Sequence, residues 1–149
     1  MTAKILVDTN VLVYAYDHSA KEKQQTAIDT LDALIHTGAG ALSTQVLAEF
    51  FHVATRKLSP PMSRGEAYER VVNLFKTWRV LSVTGLVVLE AARAAAEYNL
   101  PFWDAQIWAT AKLNQIAVIF TEDAPAPYLE GIRYANPFDP KFKVKEWVV

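Results

Sequence analysis

The sequence contains no cysteine. That excludes a disulfide framework and any thiolate-ligated zinc or iron–sulfur site, and it fits a reducing cytosol. Nor is there a long apolar run: the longest fall short of the roughly 18–20 residues that a membrane span needs. The N-terminus lacks a charged segment followed by an extended apolar one, so no secretory signal is read there, and the chain is expected to be cytoplasmic, away from membranes. Charge of either sign is not in excess. Fifteen basic and sixteen acidic residues give a net charge of −1, which by itself does not predict a polyanionic partner. The balance changes if some acids are metal ligands, because setting four aside leaves the remainder mildly basic. Internal repeats and low-complexity segments are also missing.

What remains is a 149-residue chain, 52% apolar, which is the size of one domain with a core of its own. Residues 4–8 (Lys-Ile-Leu-Val-Asp) read as a short buried strand. Residues 21–35 read as a helix with Ile28, Leu31, Leu34 and Ile35 on its apolar stripe. After Gly38 and Gly40 come a short strand at 41–43 and a helix capped by Ser43 or Thr44 that runs to about residue 57. Ser59-Pro60-Pro61 stops it. Ser63 and Glu66 form a capping-box pattern that opens a helix to about Trp78. A strand at 79–83, helices at 86–98 and 103–114, and strands at 117–120 and 132–134 complete the pattern. This alternation predicts an α/β fold of three layers, a mostly parallel sheet flanked by helices. The alternating charged and apolar run 141–145 is open between an extended arm, an edge strand and a disordered tail.

Four acids occupy positions unusual for surface carboxylates. Asp8 ends a buried strand, where open α/β sheets face their ligand crevice; the alternative is a cap for a helical turn beginning near Val11. Glu49 has Val46 and Val53 as helical neighbours, so it projects from an apolar face unless it reaches solvent at the edge of the stripe. Asp104 lies in a first helical turn, facing the core side or simply answering the helix dipole. Asp123 follows the strand at 117–120, with Glu122 competing for the same role. Converging carboxylates repel one another, and a hard divalent cation such as Mg²⁺ or Mn²⁺ relieves that repulsion with all-oxygen ligands. His18, His36 and His52 show no metal-site spacing. Trp78, Trp103, Trp108 and Trp147 are candidates for stacking bases, with core or interface the better reading for Trp103 and Trp108.

Residues 7–15 (Val-Asp-Thr-Asn-Val-Leu-Val-Tyr-Ala) resemble the opening motif of PIN-domain nucleases. Residues 43–50, 101–105 and 120–123 resemble their second, third and fourth motifs, in the same order and over nearly the whole chain up to residue 138. The resemblance implies a PIN-like nuclease domain at 1–138, followed by a C-terminal arm or tail at 139–149. It also implies Mg²⁺- or Mn²⁺-dependent hydrolysis of RNA, leaving a 5′-phosphate and a 3′-hydroxyl. Small bacterial members are commonly VapC-type toxins that pair with a VapB-type antitoxin and form homodimers. Carried over, Asp8, Glu49, Asp104 and Asp123 are the catalytic acids, with Asp8, Asp104 and Asp123 on the metal and Glu49 or Glu122 as further ligands. Asn10 and Thr121 support them, and Arg56, Lys57 and Arg64 are candidates for phosphate contacts. Two alternatives remain: a degenerate PIN fold that only binds, and a metal-dependent phosphatase. Phosphatases with an aspartyl nucleophile want a second Asp two residues on, and Asn10 stands there instead.

Overall fold

The computed structural model describes residues 3–149. Its centre is β1 (Ile5–Val7), three apolar residues with no exposed surface. A strand apolar on both faces belongs inside a parallel sheet covered on both sides. It pairs in parallel with β2 (Gly40–Ser43) on one flank and β4 (Val118–Phe120) on the other. β3 (Arg79–Leu81) extends the sheet beyond β2. β6 (Ile132–Ala135) extends it beyond β4, and β5 (Tyr128–Leu129) closes that edge as an antiparallel partner of β6. The strand order is β3-β2-β1-β4-β6-β5, mostly parallel as the alternation predicts. The exposed Arg79 sits on edge strand β3, where a charge discourages pairing with another chain.

Among the described residues, six α-helices flank this sheet: α1 (Thr9–Tyr14), α2 (Lys21–Thr37), α3 (Thr44–Ala54), α4 (Arg64–Thr77), α5 (Gly85–Tyr98) and α6 (Phe102–Leu113). Three start on hydroxyl caps. Ser43 accepts from Val46 N, Ser63 from Glu66 N and Thr84 from Val87 N. Ser43, not Thr44, caps α3; the Thr44 hydroxyl instead accepts from Val83 N at 3.1 Å. Asn99 ends α5 at φ 55°, the left-handed conformation that asparagine tolerates at a helix end. Leu100 and Pro101 then turn the chain directly into α6, which fixes where Asp104 emerges.

Three features differ from the sequence reading. α1 is a full element, started by Asp8 itself. The buried stripe of α2 is Ala27, Thr30, Leu31 and Leu34, whereas Ile35 is exposed and Ile28 only half-buried. Periodicity counted large apolar residues, and the sheet accepted the smaller Ala27 and Thr30 instead. The C-terminal run forms a short 3₁₀ turn at Val144–Glu146, and its aromatics pack on the sheet. Phe142 and Trp147 stack on each other and meet the buried Phe120 edge-on at 5.1 and 5.9 Å. Among the described residues, no helix is long and apolar enough to cross a membrane.

Candidate active site

β1 and β4 are in register from Ile5 opposite Val118 to Val7 opposite Phe120. Their next residues, Asp8 and Thr121, therefore leave the same sheet edge side by side. The backbone holds them there: Asp8 N donates to Phe120 O at 2.9 Å and Thr121 N to Ala135 O at 3.0 Å. The buried Thr121 hydroxyl is then fully used. It donates to Asp8 Oδ2 at 2.8 Å and accepts from Asn10 Nδ2 at 3.0 Å and from Asp123 N at 3.2 Å. Asn10 Oδ1 accepts from Glu122 N at 3.2 Å. Asn10 and Thr121 thus tie the start of α1 to the loop after β4.

Asp8 has both roles that the sequence left open. Its Oδ1 accepts from Thr9 N at 2.7 Å, capping α1, and the same carboxylate lines a cleft of about 440 Å³. Glu49 of α3, Asp104 in the first turn of α6, and Asp123 line the same cleft. Glu49 is held by Gln45, whose Nε2 donates to Glu49 Oε1 at 2.8 Å and to Trp103 O at 3.1 Å. Gln106 Nε2 in turn donates to Gln45 Oε1 at 2.9 Å. Gln45 and Gln106 are both buried, and the sequence analysis did not single them out. A polar pair on otherwise apolar helix faces was the available signal.

Glu122 is engaged elsewhere. It pairs with Lys23 at 2.5 Å and accepts from the Tyr14 hydroxyl at 2.9 Å, so its charge is balanced. Among the described residues Asp123 makes no such ion pair, and its charge pushes the Asp104 carboxyl upward, behind the larger effect of Asp104 burial. Burial also raises Asp8, from 3.8 to about 6; the Thr121 and Thr9 hydrogen bonds oppose the rise, and the Glu49 and Asp104 charges add to it. Asp8 thus experiences two of the other acids, and Asp104 experiences Asp123.

Among the described residues, no three Asp, Glu or His side chains form a ready-made cage for one ion. The donor set nevertheless fits a hard divalent cation. It is all carboxylate oxygen, gathered on one cleft, and the ionised forms of Asp8 and Asp104 are disfavoured by burial and by neighbouring acids in a way that a cation reverses. Of the three basic candidates, Lys57 lines the cleft; Arg56 and Arg64 are exposed and are not among the lining residues. His52 lines a neighbouring groove of about 730 Å³ that shares Glu49, Lys57 and Trp103 with the cleft. Trp108 is a core residue, as read from its spacing. Trp103 is not core: it is 63% exposed at the junction of cleft and groove.

The sequence model of the PIN domain matches residues 5–126. The chain belongs to the PIN-domain family. No curated protein matches the sequence, but solved structures share its fold. A chain of a DNA-bound VapBC from Salmonella typhimurium is 18% identical, with TM-score 0.68, covering 91% of this chain and 99% of that one. FitAcB from Neisseria gonorrhoeae is 24% identical, with TM-score 0.66 and coverage of 91% and 99%. A Mycobacterium tuberculosis toxin described as cleaving the sarcin–ricin loop is 18% identical, with TM-score 0.60 and coverage of 85% and 90%. In this PIN fold the four motif acids stand around one cleft at the carboxyl ends of β1 and β4.

Proposed function

We propose that this PIN domain is a metal-dependent ribonuclease acting as the toxin of a toxin–antitoxin pair. The observation that carries the reading is the convergence of Asp8, Glu49, Asp104 and Asp123, from four separate segments, on a single cleft. Asp8, Asp104 and Asp123 would hold Mg²⁺ or Mn²⁺, with Glu49 as a further ligand or the group that orients the attacking water. Asp123 takes the fourth position rather than Glu122, whose carboxylate is already paired with Lys23. Held by these residues, a divalent ion would supply a water activated at neutral pH and a positive charge beside the phosphodiester.

The chain's own residues do the positioning. Thr121 and Thr9 N fix both oxygens of Asp8, so its orientation is set before any ligand arrives. Gln45, braced by Gln106, aims Glu49. Lys57 offers the cleft a cation for a phosphate oxygen, and the exposed Trp103 ring offers a flat face to an unstacked base. That a chain of a toxin–antitoxin complex from Klebsiella pneumoniae shares this fold supports a cognate antitoxin as partner, and the pair would act in the cytoplasm. Exposed Leu86 and Leu89 on α5 support a second copy of the chain as another.

The test is cleavage of single-stranded RNA in Mn²⁺ by the parent and by Asp8→Asn, with a small phosphate monoester run in parallel. The parent should cut RNA and leave the monoester intact. Asp8→Asn, nearly isosteric, should stay folded and lose cleavage by 100-fold or more, on the order of what removal of a key catalytic group costs. Equal cleavage by the variant would overturn the assignment, and turnover of the monoester alone would move the protein to the phosphatases.

A further inference from the structure

Beside the acids lies a small space of about 10 Å³. Asp8, Asp104, Thr121 and Asp123 line it, together with Tyr134 from β6. Tyr134 stands opposite Ile119 in the β4–β6 register, which brings its ring under the strand end that carries Thr121. Its hydroxyl is buried and has no hydrogen-bond partner among the described residues. Leaving such a group unpaired costs about 1–3 kcal/mol, so a buried tyrosine hydroxyl normally finds a partner.

We propose that Tyr134 is a positioning residue for the Asp8–Asp104 pair, its hydroxyl donating to these carboxylates through one water held in the space between them. The space has the volume of a single water, and its lining supplies the two to four polar partners that a buried water needs. A water there accepts from the phenol and donates one proton to each of two carboxylates. The phenol carries one O–H, and carboxylates only accept, so toward these acids it acts as a donor. A water bonded to both acids would hold them in place and leave lone pairs of each free for the proposed ion. Such outer partners commonly contribute 10- to 100-fold in metal affinity. The inference rests on the metal-site reading of the cleft.

The experiment compares the parent, Tyr134→Phe and Tyr128→Phe, the last an exposed tyrosine on the neighbouring strand. Mn²⁺ affinity is measured by calorimetry and the melting temperature is measured without metal. Tyr134→Phe should bind Mn²⁺ roughly 10-fold more weakly while melting within a few degrees of the parent; Tyr128→Phe should match the parent in both. A high-resolution crystal structure of the metal-free parent should show a water bonded to the Tyr134 hydroxyl and to Asp8 or Asp104. If the parent binds Mn²⁺ and Tyr134→Phe binds it equally well, the role of Tyr134 is overturned and the metal site stands. If the parent takes up no Mn²⁺, the metal site falls and the proposal with it.

Discussion

Asp8 is stabilised by two hydrogen bonds and destabilised by burial and by its acidic neighbours, and burial dominates. The consequence for stability has a definite sign. In the unfolded chain the carboxyl titrates near 3.8, and in the native state near 6. Between these values the native state holds more protons than the unfolded one, so stability falls as pH rises through that window and stays low above it. Asp8→Asn removes this titration while keeping a side-chain oxygen to accept from Thr9 N. In metal-free buffer the variant should therefore gain on the parent as pH rises from about 4 to about 7, by at most about 3 kcal/mol. Melting temperatures of both proteins across that range in a chelator check it, and a constant difference would mean that Asp8 titrates as an ordinary surface acid. The residues that the sequence exposed were those with a charge in an apolar setting. Gln45, Gln106 and Tyr134 stayed hidden because neutral polar groups on helix and strand faces have many ordinary uses, and only the packed structure shows what they touch.

At the scale of elements, the long periodic segments were legible, because a helix of three or four turns must keep one face apolar and a buried strand must be apolar throughout. The short ones were not. α1 has six residues and begins within a motif that first reads as a strand end. β5 has two residues and exists only because β6 offers an edge to pair with. The approach of α2 to the sheet depends on a residue that periodicity ignores. Gly40 of β2 faces Trp78, and a methyl group built there would overlap the indole ring while lying 3.0 Å from Leu34 Cβ. A Gly→Ala change on a strand can gain about 0.4–1 kcal/mol through the unfolded chain. Overpacking a filled site costs about 1–3 kcal/mol, and here the buried Trp78 ring has to move, so the cost wins. Gly40→Ala should lower the melting temperature, by roughly 2–4 °C for each kcal/mol lost. An unchanged or higher melting temperature would show that Trp78 has room to shift.

For the whole molecule, the question is how far the folded unit extends. The family match ends at residue 126, and the motif resemblance reaches residue 138. The remaining segment returns to the centre of the sheet: Phe142 and Trp147 cover Phe120, a fully buried residue of β4, and Arg133 lies over the Trp147 ring at 5.3 Å. Phe120 also accepts the hydrogen bond from Asp8 N and precedes Thr121, which holds the Asp8 side chain. The tail therefore supports the strand that aims the central acid, and residues 139–149 are proposed as part of the folding unit. Removing them takes away two half-buried aromatics and bares a third. Large-to-small changes of a single buried aromatic cost about 3–5 kcal/mol, and losing this pair should cost about as much. A chain ending at Phe138 should melt on the order of 10 °C lower, bind a hydrophobic dye that the full chain excludes, and lose Mn²⁺ affinity along with stability. If it instead melted within about 2 °C of the full chain, less than 1 kcal/mol would be at stake and the tail would be an appendage. The dye separates a bared sheet face from a change confined to the chain end, because Phe120 is reached only when the sheet face is open.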